Sequence, residues 1–172
     1  NAREFNAILD DPNTIVVDFR NHYESEVGHF KGAITPDVET FRESLPIINE
    51  QLKDFKENKN LVMYCTGGIR CEKASAYYKH QGFQNVYQLE GGIINYMEKH
   101  PEDQFEGECF VFDYRIAVDQ NLQPTQNYKF CPHCGQPGQV IITCAKCGRK
   151  EIICESCKSQ GEHLITCSKN CA

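Results

Sequence analysis

The cysteines divide this chain before any other residue does. Eleven occur in 172 residues, three of them before residue 110 and eight between Cys131 and Cys171. The eight fall in pairs: Cys131/Cys134, Cys144/Cys147, Cys154/Cys157 and Cys167/Cys171. Three pairs are C-x2-C and the last is C-x3-C. A C-x2-C turn brings two thiolates onto one tetrahedral ion, so eight such ligands predict two structural zinc sites of four thiolates each. Gly135 and Gly148 follow the second cysteine of their pairs, as a tight knuckle requires. No apolar run approaches membrane-spanning length and no secretory leader is visible, so the expectation is a cytoplasmic chain with reduced thiols, off the membrane. That setting disfavours a disulfide framework. Few large apolar residues lie beyond residue 128, so the metal is expected to supply that segment's folding energy. Spacing alone leaves the pairing open. Sequential pairing joins the first two pairs and the last two; interleaved pairing joins first to third and second to fourth. The six residues between Cys147 and Cys154 suit a shared hairpin, which tilts the reading toward interleaving.

The second constraint is LVMYCTGGIRCEK, Leu61 to Lys73. An apolar run stops at Cys65, two glycines follow, and Arg70 opens a helix-like segment. Thr66, Gly67, Gly68 and Ile69 can wrap a loop with inward-pointing N–H groups. Those groups, a helix N-terminus and the Arg70 guanidinium together favour an anion at one point, and there they favour Cys65 as the nucleophilic thiolate. The spacing is C-x4-R. Cysteine phosphatases use C-x5-R, a loop long enough to enclose a tetrahedral phosphate; the shorter loop suits a persulfide sulfur or another compact reactive atom. Cys71, directly after Arg70, reads either as a recycling thiol or as a small core residue.

Apolar strands alternating with helix-period segments predict an α/β domain over residues 1–100, a parallel sheet with helices on both faces. Helices are expected at 2–10, 41–55, 70–80 and 92–99, and strands at 14–19, 60–65 and 85–89. Residues 21–36 read as loop, and Pro46 as a first-turn proline. The site then falls at the carboxyl ends of strands, where such sheets bind ligands. Asp18 and Arg20 end the first strand and are expected to face the same crevice as Cys65, as supporting residues or as an ion pair fixing the loop. Residues 101–127 read as a connecting hairpin and linker, with Cys109 in the core, and 128–172 as a small cysteine-rich zinc module. Residues 1–127 carry 12 basic and 21 acidic residues, a net of −9; residues 128–172 carry 6 and 3, a net of +3. Four zinc-bound charges would be outweighed by eight thiolates, so any basic character of the tail is local.

IVVDFRNHYESEVGHFKGAI (15–34), the VMYCTGGIR loop and GFQNVYQLEGGIINY (82–96) occur in that order, and over residues 1–100 the chain resembles the rhodanese domain. The longer string VMYCTGGIRCEKASAYYKHQGF, then LEGGIINY, FVFD and the paired cysteines, is similar to the bacterial tRNA uridine-34 hydroxylase family. Cys71 fits that family. Its members carry a further N-terminal domain, which this chain is expected to lack; Asn1 stands where an initiator Met would be. The resemblance implies 5-hydroxylation of the wobble uridine with molecular oxygen as co-substrate, Cys65 as the reactive cysteine, and the tRNA anticodon loop as partner, with no DNA and no membrane. Tyr23, beside Arg20 and His22, is a candidate base-stacking residue. The alternative is a sulfurtransferase carrying a persulfide on Cys65. No redox cofactor is recognised: the sequence has no haem signature, dinucleotide fingerprint or His/carboxylate iron triad.

Overall fold

The computed structural model describes residues 1–171. The chain divides into two compact units, residues 1–110 with 118–123, and residues 111–117 with 124 onward. The first unit runs α1 (Ala2–Leu9), β1 (Thr14–Asp18), α2 (His22–Val27), β2 (Gly28–Phe30), α3 (Phe41–Gln51), β3 (Asn60–Tyr64), α4 (Ile69–His80), β4 (Asn85–Gln88), α5 (Gly92–Lys99) and β5 (Phe105–Gly107). A hairpin of β6 (Cys109–Phe110) and β7 (Ala117–Val118) follows. Strands β1, β3 and β4 form a parallel sheet in the order β1-β3-β4, with Val17 opposite Met63 and Leu61 opposite Val86.

Period-two alternation sends β1 and β3 side chains to two separate cores. Val17, Phe19, Leu61, Met63 and Cys65 pack with Ile48 and Leu52 near α3 and with Ala74 and Tyr78 of α4. On the other face Phe30 meets Tyr64, Phe5 of α1 and Tyr96 of α5 edge-on at ring separations of 4.7–4.8 Å. Both faces of the sheet are covered, which is why its strands read as continuous apolar runs.

Two expectations need correction. Residues 21–36 are not all loop: the Glu24 carboxylate accepts the Asn21 N–H at 3.0 Å and caps the start of α2, and Gly28–Phe30 pairs antiparallel with Phe105–Gly107. Pro46 lies inside α3, in its second turn, because Thr40 and Glu43 cap the helix upstream of Phe41. Ser44 turns its hydroxyl back onto the Phe41 carbonyl at 2.7 Å within that stretch.

The second unit contains β8 (Lys129–Phe130), β9 (Pro137–Gly138), β10 (Val140–Thr143), β11 (Lys150–Ile153) and α6 (Glu155–Ser159). Strands β8 and β9 pair, as do β10 and β11, both antiparallel. Its core is Ile142 and Ile153 with Cys131, Cys154 and Cys157, flanked by Val140, Leu164 and Ile165. No helix among the described residues is long and apolar enough to cross a membrane.

Candidate active site and metal centres

Cys65 stands immediately beyond β3, at the carboxyl end of the parallel sheet. Thr66–Gly68 then turn back, and Gly68 takes the left-handed backbone (φ +95°) that opens α4. That turn aims the Gly68 N–H at the Cys65 Sγ, 3.1 Å away. The loop is tied from behind by α5. The Ile93 and Ile94 N–H groups donate to the Cys65 and Thr66 carbonyls at 3.0 and 3.3 Å. A Cβ on Gly92 would sit 2.4 Å from the Thr66 carbonyl oxygen, so this approach requires glycine.

The Cys65 thiol is pulled down to about 6. The largest cause is a hydrogen bond from the Cys71 thiol; burial opposes it, and the Cys71 N–H, the Arg70 charge and the Gly68 N–H add to it. The Cys71 thiol is driven far up, first by that same hydrogen bond to Cys65 and then by burial. Cys71 is fully buried on the first turn of α4. It is therefore both a core residue and the donor that holds Cys65 ionised. Cys109 is also fully buried, and burial pushes its thiol up to about 12. Cys65 is thus expected to be the fastest-alkylating thiol of this unit, with a rate that rises through about pH 6 and is nearly flat by pH 8. Cys71→Ala removes a donor to a charged group, an interaction of about 1.5–3 kcal/mol, and should raise that midpoint by about one to two pH units. Cys71→Ser, which keeps a donor, should move it less. Iodoacetamide labelling against pH with peptide mapping checks this; first reaction at Cys109 would refute it.

Arg70 does not reach into an empty cradle. Its guanidinium grips Glu24 of α2 at 2.6 and 2.8 Å, and Glu24 is fully buried. Glu24 also accepts the Asn21 N–H at 3.0 Å and the Thr66 hydroxyl at 3.4 Å. One carboxylate therefore fixes the start of α2, the first loop residue and Arg70. Sequence reasoning missed Glu24; its signal was the N-x-x-E spacing from Asn21.

Asp18 and Arg20 are fully buried, so they do not line an open crevice. The Arg20 guanidinium donates to both Asp18 oxygens at 2.6–3.1 Å and to the Gly28 carbonyl at 2.6 Å, while the Ser25 hydroxyl donates to Asp18 at 3.0 Å. This is the ion-pair arrangement, pinning α2 and β2 against β1. Removing one partner of such a pair costs about 3–5 kcal/mol, so substitutions here act through stability. Tyr23 is half-buried, its ring edge-on to Phe110 and His22 at 5.5 and 5.6 Å and its hydroxyl accepting from Asn21 at 2.9 Å. It packs over its own unit rather than standing out to stack on a base.

The eight tail cysteines gather in two groups, Cys131, Cys134, Cys154 and Cys157, and Cys144, Cys147, Cys167 and Cys171. Within each group every Sγ lies within 4.8 Å of the others, with Cys134–Cys154 and Cys147–Cys167 at 3.5 Å. A tetrahedral ion with 2.3 Å bonds separates its sulfurs by about 3.8 Å. Each group could hold a metal ion. The arrangement is interleaved, and the hairpin explains it. Its turn carries Cys144 and Cys147, while its open end, Val140 opposite Ile153, leads into Cys154. Four paired residues keep those ends about 14 Å apart. The first two knuckles are copies: Gly135 and Gly148, at φ +80° and +72°, each donate to the first cysteine's carbonyl at 2.9 Å. In the second knuckle the Cys147 N–H, opposed by burial and helped by the Cys167 and Lys146 N–H groups, pulls Cys144 down to about 6.

Comparison with known proteins agrees with this architecture. A rhodanese-like domain model matches residues 1–99 and a rhodanese C-terminal model matches residues 106–172. A protein of Bdellovibrio bacteriovorus named tRNA uridine(34) hydroxylase is 49% identical over 98% of this chain and 48% of its own length. One of the same name from Synechococcus elongatus is 48% identical over 84% of this chain and 54% of its own. The chain thus spans about half the length of these relatives. The solution structure of a rhodanese-like domain from Anabaena sp. superimposes with a TM-score of 0.51 at 21% identity, covering 62% of this chain and 76% of that one. With a parallel sheet, a cysteine at its carboxyl edge and a family model matching more than half of its residues, the chain belongs to the rhodanese-like domain family.

Proposed function

We propose that the chain is the catalytic and RNA-handling part of a cytoplasmic tRNA-modifying enzyme that hydroxylates C5 of the wobble uridine. The observation that carries this reading is near-50% identity, running through both units, to relatives named for that reaction. The low-pKa Cys65 supplies a chemical reason. Uracil is electrophilic at C6. Addition of the Cys65 thiolate forms an S–C6 bond and moves an electron pair to C5, where molecular oxygen adds. One thiol then reduces the C5–O–OH group to C5–OH and becomes a sulfenic acid. Loss of the C5 proton expels Cys65 and restores the C5=C6 bond. A second thiol converts the sulfenic acid to a disulfide and water. The balance is uridine, oxygen and two thiols giving 5-hydroxyuridine, water and one disulfide. We assign Cys71, on the first turn of α4 directly behind the Cys65 loop, as the first thiol. Arg70 serves this chemistry through its charge on Cys65 while Glu24 holds it. We assign one zinc ion to each four-thiol group, in a structural role, because zinc is redox-inactive and four thiolates close its shell.

The product separates this reading from persulfide transfer. Full-length protein, tRNA, oxygen and a thiol should yield 5-hydroxyuridine at position 34 by nucleoside mass spectrometry. Thiocyanate from thiosulfate and cyanide, with unmodified uridine, would instead establish the sulfurtransferase.

A further inference from the structure

The outward face of the β10–β11 hairpin is apolar where water favours polar residues. Ile141 and Ile152 are cross-strand partners on it, and Ile141 is 71% exposed. Their neighbours Ile142 and Ile153 point the other way and are buried in the unit's core. The same alternation puts the next partners, Thr143 and Lys150, on the outward face. Lys129 of β8 borders it, and Lys129, Ile141, Lys150, Glu151 and Ile152 line a shallow cleft of about 250 Å³. Both lysines are exposed. Glu151 is the acidic member of the lining, and its carboxylate accepts the Ile152 N–H at 3.0 Å.

We propose that this cleft binds an unpaired stretch of RNA, with a base laid on Ile141 and Ile152 and the flanking phosphates held by Lys129 and Lys150. A single strand offers what the cleft asks for, a flat apolar face with a negative charge on either side of it. Charge complementarity points the same way locally, because the exposed Lys129 and Lys150 lie beside the apolar pair in the lining of one cleft. A duplex would present phosphates without an exposed base face. An acidic peptide would present carboxylates without the plane. The proposal rests on the tRNA reading and names the surface of the second unit that holds the RNA.

The test is fluorescence anisotropy of the full chain with a labelled anticodon stem-loop, against a fully paired hairpin of equal charge. The wild type should prefer the stem-loop. Lys129→Ala/Lys150→Ala should bind it more weakly and lower the slope of log affinity against log salt by about 1.4, two single-strand phosphate contacts at about 0.7 each. Ile141→Ser should weaken binding several-fold with an unchanged salt slope. Metal content of each variant is measured alongside, and Lys129→Arg/Lys150→Arg should restore the slope. Wild-type affinity and slope in both the lysine and isoleucine variants would overturn the proposal while leaving hydroxylation of tRNA standing. Equal binding of the paired hairpin, or tight binding only to acidic peptides, would overturn it too. No RNA binding by the wild type would remove both this surface and the tRNA reading.

Discussion

Replacing Cys65 with alanine in the full-length protein should abolish 5-hydroxyuridine formation, a rate loss of at least about 10³-fold. Removing a covalent nucleophile outright has cost on the order of 10⁶ elsewhere. The loss should be chemical and not structural. The loop's anchoring bonds run from the Ile93 and Ile94 N–H groups to main-chain carbonyls, which the substitution leaves in place. The side chain removed is a single sulfur, so the cavity is small. Melting temperature should fall by no more than a few degrees while product disappears. Cys71→Ser should behave differently: an external thiol must then reduce the C5 hydroperoxide, so product should still form, more slowly from the first turnover and in proportion to the thiol supplied. Mass spectrometry of tRNA from cells carrying only each variant measures both. Full hydroxylation by the Cys65→Ala protein would remove this loop as the catalytic centre.

Stripping metal should unfold the second unit and spare the first. The second unit's apolar core is little more than Ile142 and Ile153 with their flanking residues, too little to hold a chain of this length. Structural zinc contributes about 10–16 kcal/mol in comparable peptides, so its loss is decisive. The first unit keeps a separate core around Val17, Leu61, Met63 and Tyr78 that contains no tail cysteine. Two zinc equivalents per chain are expected by elemental analysis. After chelation, limited proteolysis should degrade residues beyond about 124 and leave a stable fragment ending near residue 123. Interleaving adds a sharper result. Cys154→Ser should loosen the second group as well as the first, because both hang on one β10–β11 hairpin. Zero bound metal, or disulfides throughout the tail, would refute the assignment.

What could be read from sequence tracked how local each signal was. Strand β3, the turn at Gly68 and helix α4 followed from the apolar run, the paired glycines and the helix-like spacing after them. Helix α5, Gly92–Lys99, fell within the bounds its pattern predicted. Interleaving was only favoured, since a hairpin between knuckles can be guessed from a gap but not proved by it. Helix α2 was hidden because HYESEV has one and a half turns and no apolar stripe; its evidence lay in a cap, not a period. Glu24 was hidden for a deeper reason. Its partner Arg70 is 46 residues away, and nothing local says that a glutamate amid polar neighbours will be fully buried. Asp18 and Arg20 were correctly placed at a strand end, but the ladder of bonds to Gly28 and Ser25 that turns them inward is tertiary.

The Glu24 clasp on Arg70 also sets the formal charge of the pocket. Ionised Cys65, Arg70 and Glu24 together carry −1, so the guanidinium that would otherwise welcome an oxyanion is already balanced. A phosphate monoester approaching Cys65 would meet net repulsion in a loop one residue too short to wrap it. A neutral electrophile meets no such barrier and gains a thiolate already ionised at neutral pH. The buried Glu24 carboxylate thus offsets the one guanidinium of the loop and leaves it with less pull on an approaching anion.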